Sequence, residues 1–288
     1  MKLYIVGNGF DLWHRLPTSY DDFYEFSRET LDEVENYFHL DLSSSQETPW
    51  HDFENRLGKY HWRSLFDEHN HTDVQSDDFK PSHVYSFEDE LVERADELVE
   101  AIQTQFKEWV DGIDASEATK RISFDRAARF LTFNYTSTLQ QTYGIEDEHI
   151  LHIHGRAGKD ELTFGHGEPI EEEGPEYDPE SGESNRTMFT DAEGSAKYPL
   201  YAFKKQVNRI IRENRSYFES LNNVSEIAII GHSLNDVDLP YFREIAARVP
   251  ACRWAVYCYL DREFENHPKQ LVRCGVGEDR ISTRAYDK

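Results

Sequence analysis

Four short segments carry residue types that can do chemistry, and each follows a run of apolar residues. The first is Gly7-Asn8-Gly9-Phe10-Asp11, directly after Lys2–Val6 (KLYIV). Two glycines at a strand exit let the backbone approach a pyrophosphate, and a helix N-terminus behind them offers N–H groups and a positive dipole end. Leu12 stands where the third glycine of GxGxxG falls, and no GxxxxGK[ST] is present. Neither an ordinary dinucleotide dehydrogenase nor a P-loop nucleotidase is indicated. The same residues also suit a plain tight turn. The second segment, Thr132-Phe133-Asn134-Tyr135-Thr136, places polar groups where ligands bind in open α/β sheets, although Asn134 or Thr136 could equally cap a helix.

The third segment is His152-Ile153-His154-Gly155, followed by Gly165-His166-Gly167. Histidines two apart on a strand share a face. They are either a metal group completed by His166, serving a hydrolase or nuclease, or a general base beside a glycine that clears room for substrate. A satisfied structural histidine describes His152 better than His154. The fourth segment is Gly231-His232-Ser233-Leu234-Asn235-Asp236, one residue short of a nucleophile elbow because Asn235 replaces the glycine that relieves that strained turn. Asp261 and His267 follow in an order that could complete a triad. Otherwise Ser233 is a hydroxyl suited to a ribose or phosphate. The remaining histidines, among them His14, His39 and His149, are expected at the surface.

Positioning these segments falls to alternating elements. Strands are expected at Lys2–Val6 and at residues 128–133, 149–153, 226–230, 253–260 and 280–283, with a short one at 161–164. Helices are expected over 19–40, 137–143, 196–221, 238–248 and 263–273, and 50–66 has helical character. Residues 87–110 form an amphipathic helix with Leu91, Ala95, Leu98, Ile102, Phe106 and Trp109 on one face. Such alternation indicates βαβ units and a mostly parallel sheet covered on both faces. The chain reads as one domain over 1–288. Residues 19–110 form a helical insertion or cap, 43–48 a polar loop, and 168–195 an acidic, flexible insertion.

Taken together and in this order, the four segments resemble the SIR2-like superfamily, and within it the bacteriophage abortive infection AbiH family. Members of that family open with a strand and Gly-Asn-Gly-Phe-Asp and continue with a stretch matched here by Leu16-Pro17-Thr18-Ser19-Tyr20-Asp21-Asp22-Phe23. The sirtuin counterparts are Gly-Ala-Gly for Gly7-Asn8-Gly9, Thr-Gln-Asn-Ile-Asp for 132–136, Ala-His-Gly for 153–155 and Gly-Thr-Ser-Leu for 231–234. The resemblance implies a Rossmann-like (SIR2-like) α/β fold with a helical insertion, and cleavage of the nicotinamide–ribose bond of NAD as substrate. It implies that Gly7, Asn8, Gly9 and Phe10 line the pyrophosphate and nicotinamide side, with Asp11 and Thr132 beside them. Asn134 would orient the ribose or a water and His154 would be the base. Gly231, His232, Ser233 and Leu234 would form the second nucleotide loop, Ser233 holding the adenosine ribose. Sirtuin deacylases also carry a four-cysteine zinc module, whereas this chain has no cysteine before Cys252. A bare NAD hydrolase needing no metal is therefore implied, not a deacylase; the alternative is a catalytically silent nucleotide-sensing module that signals to a partner. A homo-oligomer, a phage-derived trigger and control by the helical insertion are expected with it.

Composition bounds the rest. The 288 residues carry 56 Asp and Glu against 31 Lys and Arg, a formal charge of −25, with 14% aromatics to build a core. No apolar run approaches the ~18 residues of a membrane span. The opening residues read as a first strand, not a signal peptide. Cys252, Cys258 and Cys274 are odd in number and contain no CxxC, which fits a reducing cytoplasm. So acidic a surface repels phosphate backbones and anionic lipid. The most basic stretch, residues 203–215, reads as a solvated helix face. Random duplex DNA should accordingly show no sub-micromolar gel shift at moderate salt; binding that weakens steeply with salt would point to a nuclease instead.

Overall fold

The computed structural model describes residues 1–38, 50–125, 127–171 and 174–286. His39, Leu40 and the expected loop at 43–48 lie outside them. Two compact units divide the chain.

The first unit comprises Met1–Phe23, Lys107–Phe164 and Lys205–Lys288. Its strands are β1 (Lys2–Val6), β2 (Arg129–Thr132), β3 (Ile150–His152), β4 (Glu226–Ile230), β5 (Arg253–Cys258) and β6 (Ile281–Ala285). They form one sheet in the order β3-β2-β1-β4-β5-β6, every neighbouring pair parallel. Side chains alternate across the sheet, so each apolar strand feeds two cores. Leu3, Ile5, Leu131, Ile227, Ile229, Trp254 and Val256 go to one; Tyr4, Val6, Phe130, Ala228 and Ile230 go to the other. The first core is closed by α8 (Val207–Glu213), α9 (Arg215–Glu219), α10 (Leu239–Arg248) and α11 (Glu263–Arg273). The second is closed by α1 (Asn8–Trp13) and α6 (Thr138–Gln141). Burial on both faces is why β1 and β4 read as continuous apolar runs. β6, polar and largely exposed, is an edge. The chain thus has the Rossmann-like α/β architecture, and its strand order reverses between β1 and β4, where such sheets open a crevice at their carboxyl ends.

At that reversal the two turns touch through bare backbone. Gly7 N–H donates to Ile230 O at 3.0 Å and Gly9 N–H to Gly231 O at 2.7 Å. Gly231 has φ +70°, and a Cβ there would lie 2.1 Å from the Phe10 nitrogen. Glycine is required by the contact itself.

The second unit comprises Tyr24–Phe106 and Gly165–Lys204. It takes most of α2 (Tyr20–Val34) and α5 (Pro81–Asp111), with α3 (Phe53–Leu57), α4 (Trp62–His69) and α7 (Thr190–Ala202). Leu65, Phe87, Leu91, Ala95, Ala192 and Ala196 share a core, and Tyr60 OH donates to Ala196 O at 2.9 Å. The apolar stripe expected on 87–110 is present, and its helix starts earlier, at Pro81, where a fixed φ suits the first helical position. α7 begins inside the acidic stretch 168–195. Among the described residues no helix is long and apolar enough to cross a membrane.

Several expected elements differ. The helix over 196–221 is three helices. His166 N–H takes Phe203 O at 3.0 Å between the first two, and Asn214 Nδ2 turns back onto Ile210 O at 2.9 Å between the last two. The strand at 149–153 stops at His152, because Gly155, at φ +86°, turns the chain. Residues 161–164 form no strand. After α2, residues 35–37 tighten into a 3-10 turn. His14 is buried, its ring nitrogens paired with Phe10 O and Tyr143 OH, both at 2.6 Å.

Replacing Gly231 by Ala must displace the Phe10 backbone and should cost about 3 kcal/mol or more. Gly144, at φ +68° with open space around it, should cost only the ~1–2 kcal/mol of its conformation when made Ala. Urea midpoints compare the two; equal losses would mean that the turn contact contributes nothing.

Candidate active site

Two buried polar clusters of the first unit lie at the carboxyl ends of its strands. The first joins β1 to β2. Past β2, Thr132 Oγ1 accepts the Asn134 N–H at 3.1 Å and turns the chain inward. Asn134, 6% exposed, offers its carbonyl to His152 Nδ1 at 2.9 Å. Thr136 Oγ1 donates to Asp11 Oδ2 at 2.5 Å, with Thr138 Oγ1 3.0 Å from Thr136. Burial pushes the Asp11 carboxyl up to about 6, against the opposing pull of Thr136, Thr138 and Asn134. Asp11 Oδ1 and Asn134 Oδ1 are buried with no hydrogen-bond partner among the described residues. Buried polar atoms left this way cost roughly 1–3 kcal/mol each, so such an atom asks for an explanation.

The second cluster surrounds Asp238, the residue before α10. Its Oδ1 lies 3.6 Å from Lys205 Nζ and 3.8 Å from His154 Nε2, and its Oδ2 lies 3.6 Å from His232 Nε2. All four side chains are buried. The Phe133 ring stands almost perpendicular to both imidazoles, 5.2 Å from His154 and 4.2 Å from His232. Leu234 N–H donates to His232 Nδ1 at 2.9 Å, so the neutral ring carries its proton on Nε2, toward Asp238. Leu234 reaches this position at φ +56°, rare for a leucine. Burial holds His154 well below the usual histidine range, and Lys205 and His232 reinforce it. His232 falls to about 3, again by burial first, then by His267 and Lys205. Burial pushes Asp238 the other way, up, and Lys205 opposes the shift. His154 Nε2 and Asp238 Oδ1 face each other, neither with a partner within hydrogen-bond distance.

The residues singled out from the sequence separate into three groups. Asp11, Thr132 and Asn134 meet in the first cluster, and His154 and His232 in the second. Gly7, Gly9 and Gly231 make the contact between turns, and the N–H groups of Gly7, Gly9 and Phe10 are spent on backbone carbonyls. The Phe10 side chain is core, and the Asn8 amide donates to Thr18 O at 2.6 Å. Leu234 is core and Ser233 is exposed. His267 Nδ1 faces Cys258 Sγ at 3.8 Å, and no bond joins Ser233, Asp261 and His267.

His152 and His154 do not share a face, because the strand ends between them. His152 Nε2 meets Gln140 Nε2 at 3.0 Å, so both its nitrogens are engaged, and His166 belongs to the other unit with Nε2 on Leu200 O at 2.9 Å. Among the described residues no group of three His, Cys, Asp or Glu side chains could hold a metal. Asp238 and Lys205 were missed as site residues. Lys205, expected on a solvated helix face, is buried in the short segment that leads into α8. The available signal was an acid closely following Gly-His-Ser-Leu and a lysine just before a helix.

The buried histidines fix the response to acid. Burial takes His152 down to about 4 and His232 to about 3. The unfolded chain protonates both near 6.5, so each contributes stability that is complete above that pH and fades as pH falls. Asp11, raised to about 6, contributes below about pH 4 and loses its contribution as pH rises through 6. From pH 7 to pH 5 His152 and His232 cost about 2 kcal/mol each and Asp11 returns about 1, a loss of about 3 kcal/mol from these three groups. Denaturant unfolding at both pH values checks this, and His152→Gln should remove about 2 kcal/mol of the difference. Greater stability at pH 5 would contradict it.

Comparison with known proteins agrees with this architecture. No curated protein and no solved structure matches the chain significantly. The family model described as Bacteriophage abortive infection AbiH matches residues 3–258, from β1 through β5 and including both clusters. The chain belongs to the bacteriophage abortive infection AbiH family.

Proposed function

We propose that this protein hydrolyses the nicotinamide–ribose bond of NAD, releasing nicotinamide and ADP-ribose, as an effector of abortive infection. One observation carries the reading. Asn134 and His154 lie two residues beyond the register pair Thr132–His152, at neighbouring strand ends beside the sheet's switch point. Each is more than nine-tenths buried; Asn134 Oδ1 has no hydrogen-bond partner among the described residues, and His154 Nε2 faces Asp238. Free acceptors at Asp11 Oδ1 and Asn134 Oδ1 suit ribose hydroxyls and a carboxamide NH₂. The N–H groups of the glycine turn point inward, so the reading rests on the ribose and nicotinamide end and not on a pyrophosphate cradle.

The chemistry is within reach of these residues. Nicotinamide leaves as a neutral base, and the ribose left behind has oxocarbenium character. A buried carboxylate at Asp11 stabilises that charge, Asn134 orients the ribose, and neutral His154 takes the proton of the attacking water. Exclusion of bulk water strengthens each of these effects. Because an unrestrained NAD hydrolase destroys its host, the proposal includes low basal activity. A phage-derived trigger or self-association of the chain then releases it.

Incubation with NAD followed by chromatography tests the reading. Nicotinamide and ADP-ribose should appear in equal amounts. His154→Ala and Asn134→Ala should each lower the rate by about 100-fold or more, while His152→Gln stays within several-fold. An absence of cleavage, together with no thermal shift from NAD or ADP-ribose at millimolar concentration, would sink the proposal. Activity abolished by a chelator would favour a metal-dependent hydrolase.

A further inference from the structure

Neither Asp238 nor Lys205 has a role in the function proposed above, yet together they place an acid and an amine almost entirely out of water. Removing both from water costs several kcal/mol per ion, repaid only by excellent geometry. The 3.6 Å separation of Nζ and Oδ1 is longer than a charge-assisted hydrogen bond. Stability alone is a poor account of the pair. What the carboxylate has is an imidazole on each side. The Nε2–H of His232, fixed by the Leu234 N–H on Nδ1, points at Oδ2, and His154 Nε2 faces Oδ1.

We propose that Asp238 is the positioning residue for His154: its carboxylate draws the imidazole proton to Nε2 and leaves Nδ1 as the atom that accepts a proton. His232 anchors the other carboxylate oxygen, and Lys205 keeps the carboxylate ionised. The 3.8 Å gap closes by roughly 1 Å when ligand binds, as catalytic hydrogen bonds often tighten only in the loaded site.

The inference rests on His154 being the base of the proposed hydrolysis. In that step water's oxygen bonds to the ribose carbon as the carbon–nitrogen bond breaks, its electron pair leaving on the nicotinamide nitrogen. Water's proton goes to His154 Nδ1. The resulting imidazolium carries protons on both nitrogens, faces Asp238, and later returns the extra proton to solvent. Besides Asp238, the charged and titratable groups around this ring are Lys205, His232, Tyr241 and Tyr135, with His267 beyond. The cations oppose the imidazolium and the carboxylate supports it, so Asp238 is what makes the protonated state reachable.

Nitrogen-15 NMR of the histidine rings in the 288-residue protein reads the tautomer directly, without substrate. His154 should be the Nε2–H form in the wild type. Replacing the pair together, Asp238→Leu with Lys205→Met, should leave a folded protein, because apolar residues of similar size often replace a buried ion pair without loss. In that variant the His154 tautomer preference should disappear. NAD hydrolysis should lose about 100-fold or more in kcat with KM little changed. An Nδ1–H form in the wild type overturns the proposal even if the double variant does not fold. So does a folded double variant that keeps the Nε2–H form or stays within threefold in kcat. A wild type that ignores NAD sinks the functional reading alone, since the tautomer still decides the role of Asp238.

Discussion

The contact between the β1–α1 turn and the β4–α10 turn is the constraint on which the rest depends. Three glycines bring two backbones to a distance at which no side chain fits, and the amide groups of one turn are satisfied by carbonyls of the other. That contact fixes where α1 begins, and so aims Asp11 at Thr136. It also fixes where β4 ends, and so places His232 two residues later against Phe133. A sheet whose order reverses between β1 and β4 ordinarily opens at this point. Here the floor of the opening is closed by main chain, and the polar groups gather toward β2 and β3.

Burial then sets the electrostatics. The surface carries a large excess of acid, yet Asp11 and Asp238 are in the interior, where losing water matters more to them than distant charge does. The same loss of water keeps His152, His154 and His232 neutral. The interior is therefore a set of neutral rings and hydroxyls around two reluctant carboxylates and one lysine. Such an arrangement is chemically better matched to hydrogen-bonding groups and developing positive charge than to phosphate.

Much of the fold was legible because parallel strands buried on both faces leave short apolar runs that little else resembles. β1 and β4 were bounded to the residue, as was α11. Elements failed where local pattern lost to tertiary demands. The helical periodicity of 196–221 is real, but the Phe203 carbonyl bonds to another segment and Asn214 bonds to its own helix. The site was legible wherever a polar residue followed a strand, as Asn134, His154 and His232 do. Asp238 and Lys205 were not, because nothing in a sequence says that a charged residue beside a helix start will be buried. Phe10 and Leu234 show the converse: residues inside a motif whose side chains serve the core.

The order of the strands has a consequence for how the protein is made. β1 precedes the other five strands and lies in the middle of the sheet, yet its β4 neighbour is 224 positions later in the chain. The residues of the two clusters are spread from Asp11 to Asp238 in the same way. A nascent chain still missing β4 has an unpaired edge on β1, no seat for the glycine turn and neither His232 nor Asp238 of the second cluster. Chains that stop before β4 therefore cannot assemble the second cluster. In a protein of a family that acts by abortive infection, the proposed site forms only once distant parts of the chain have met.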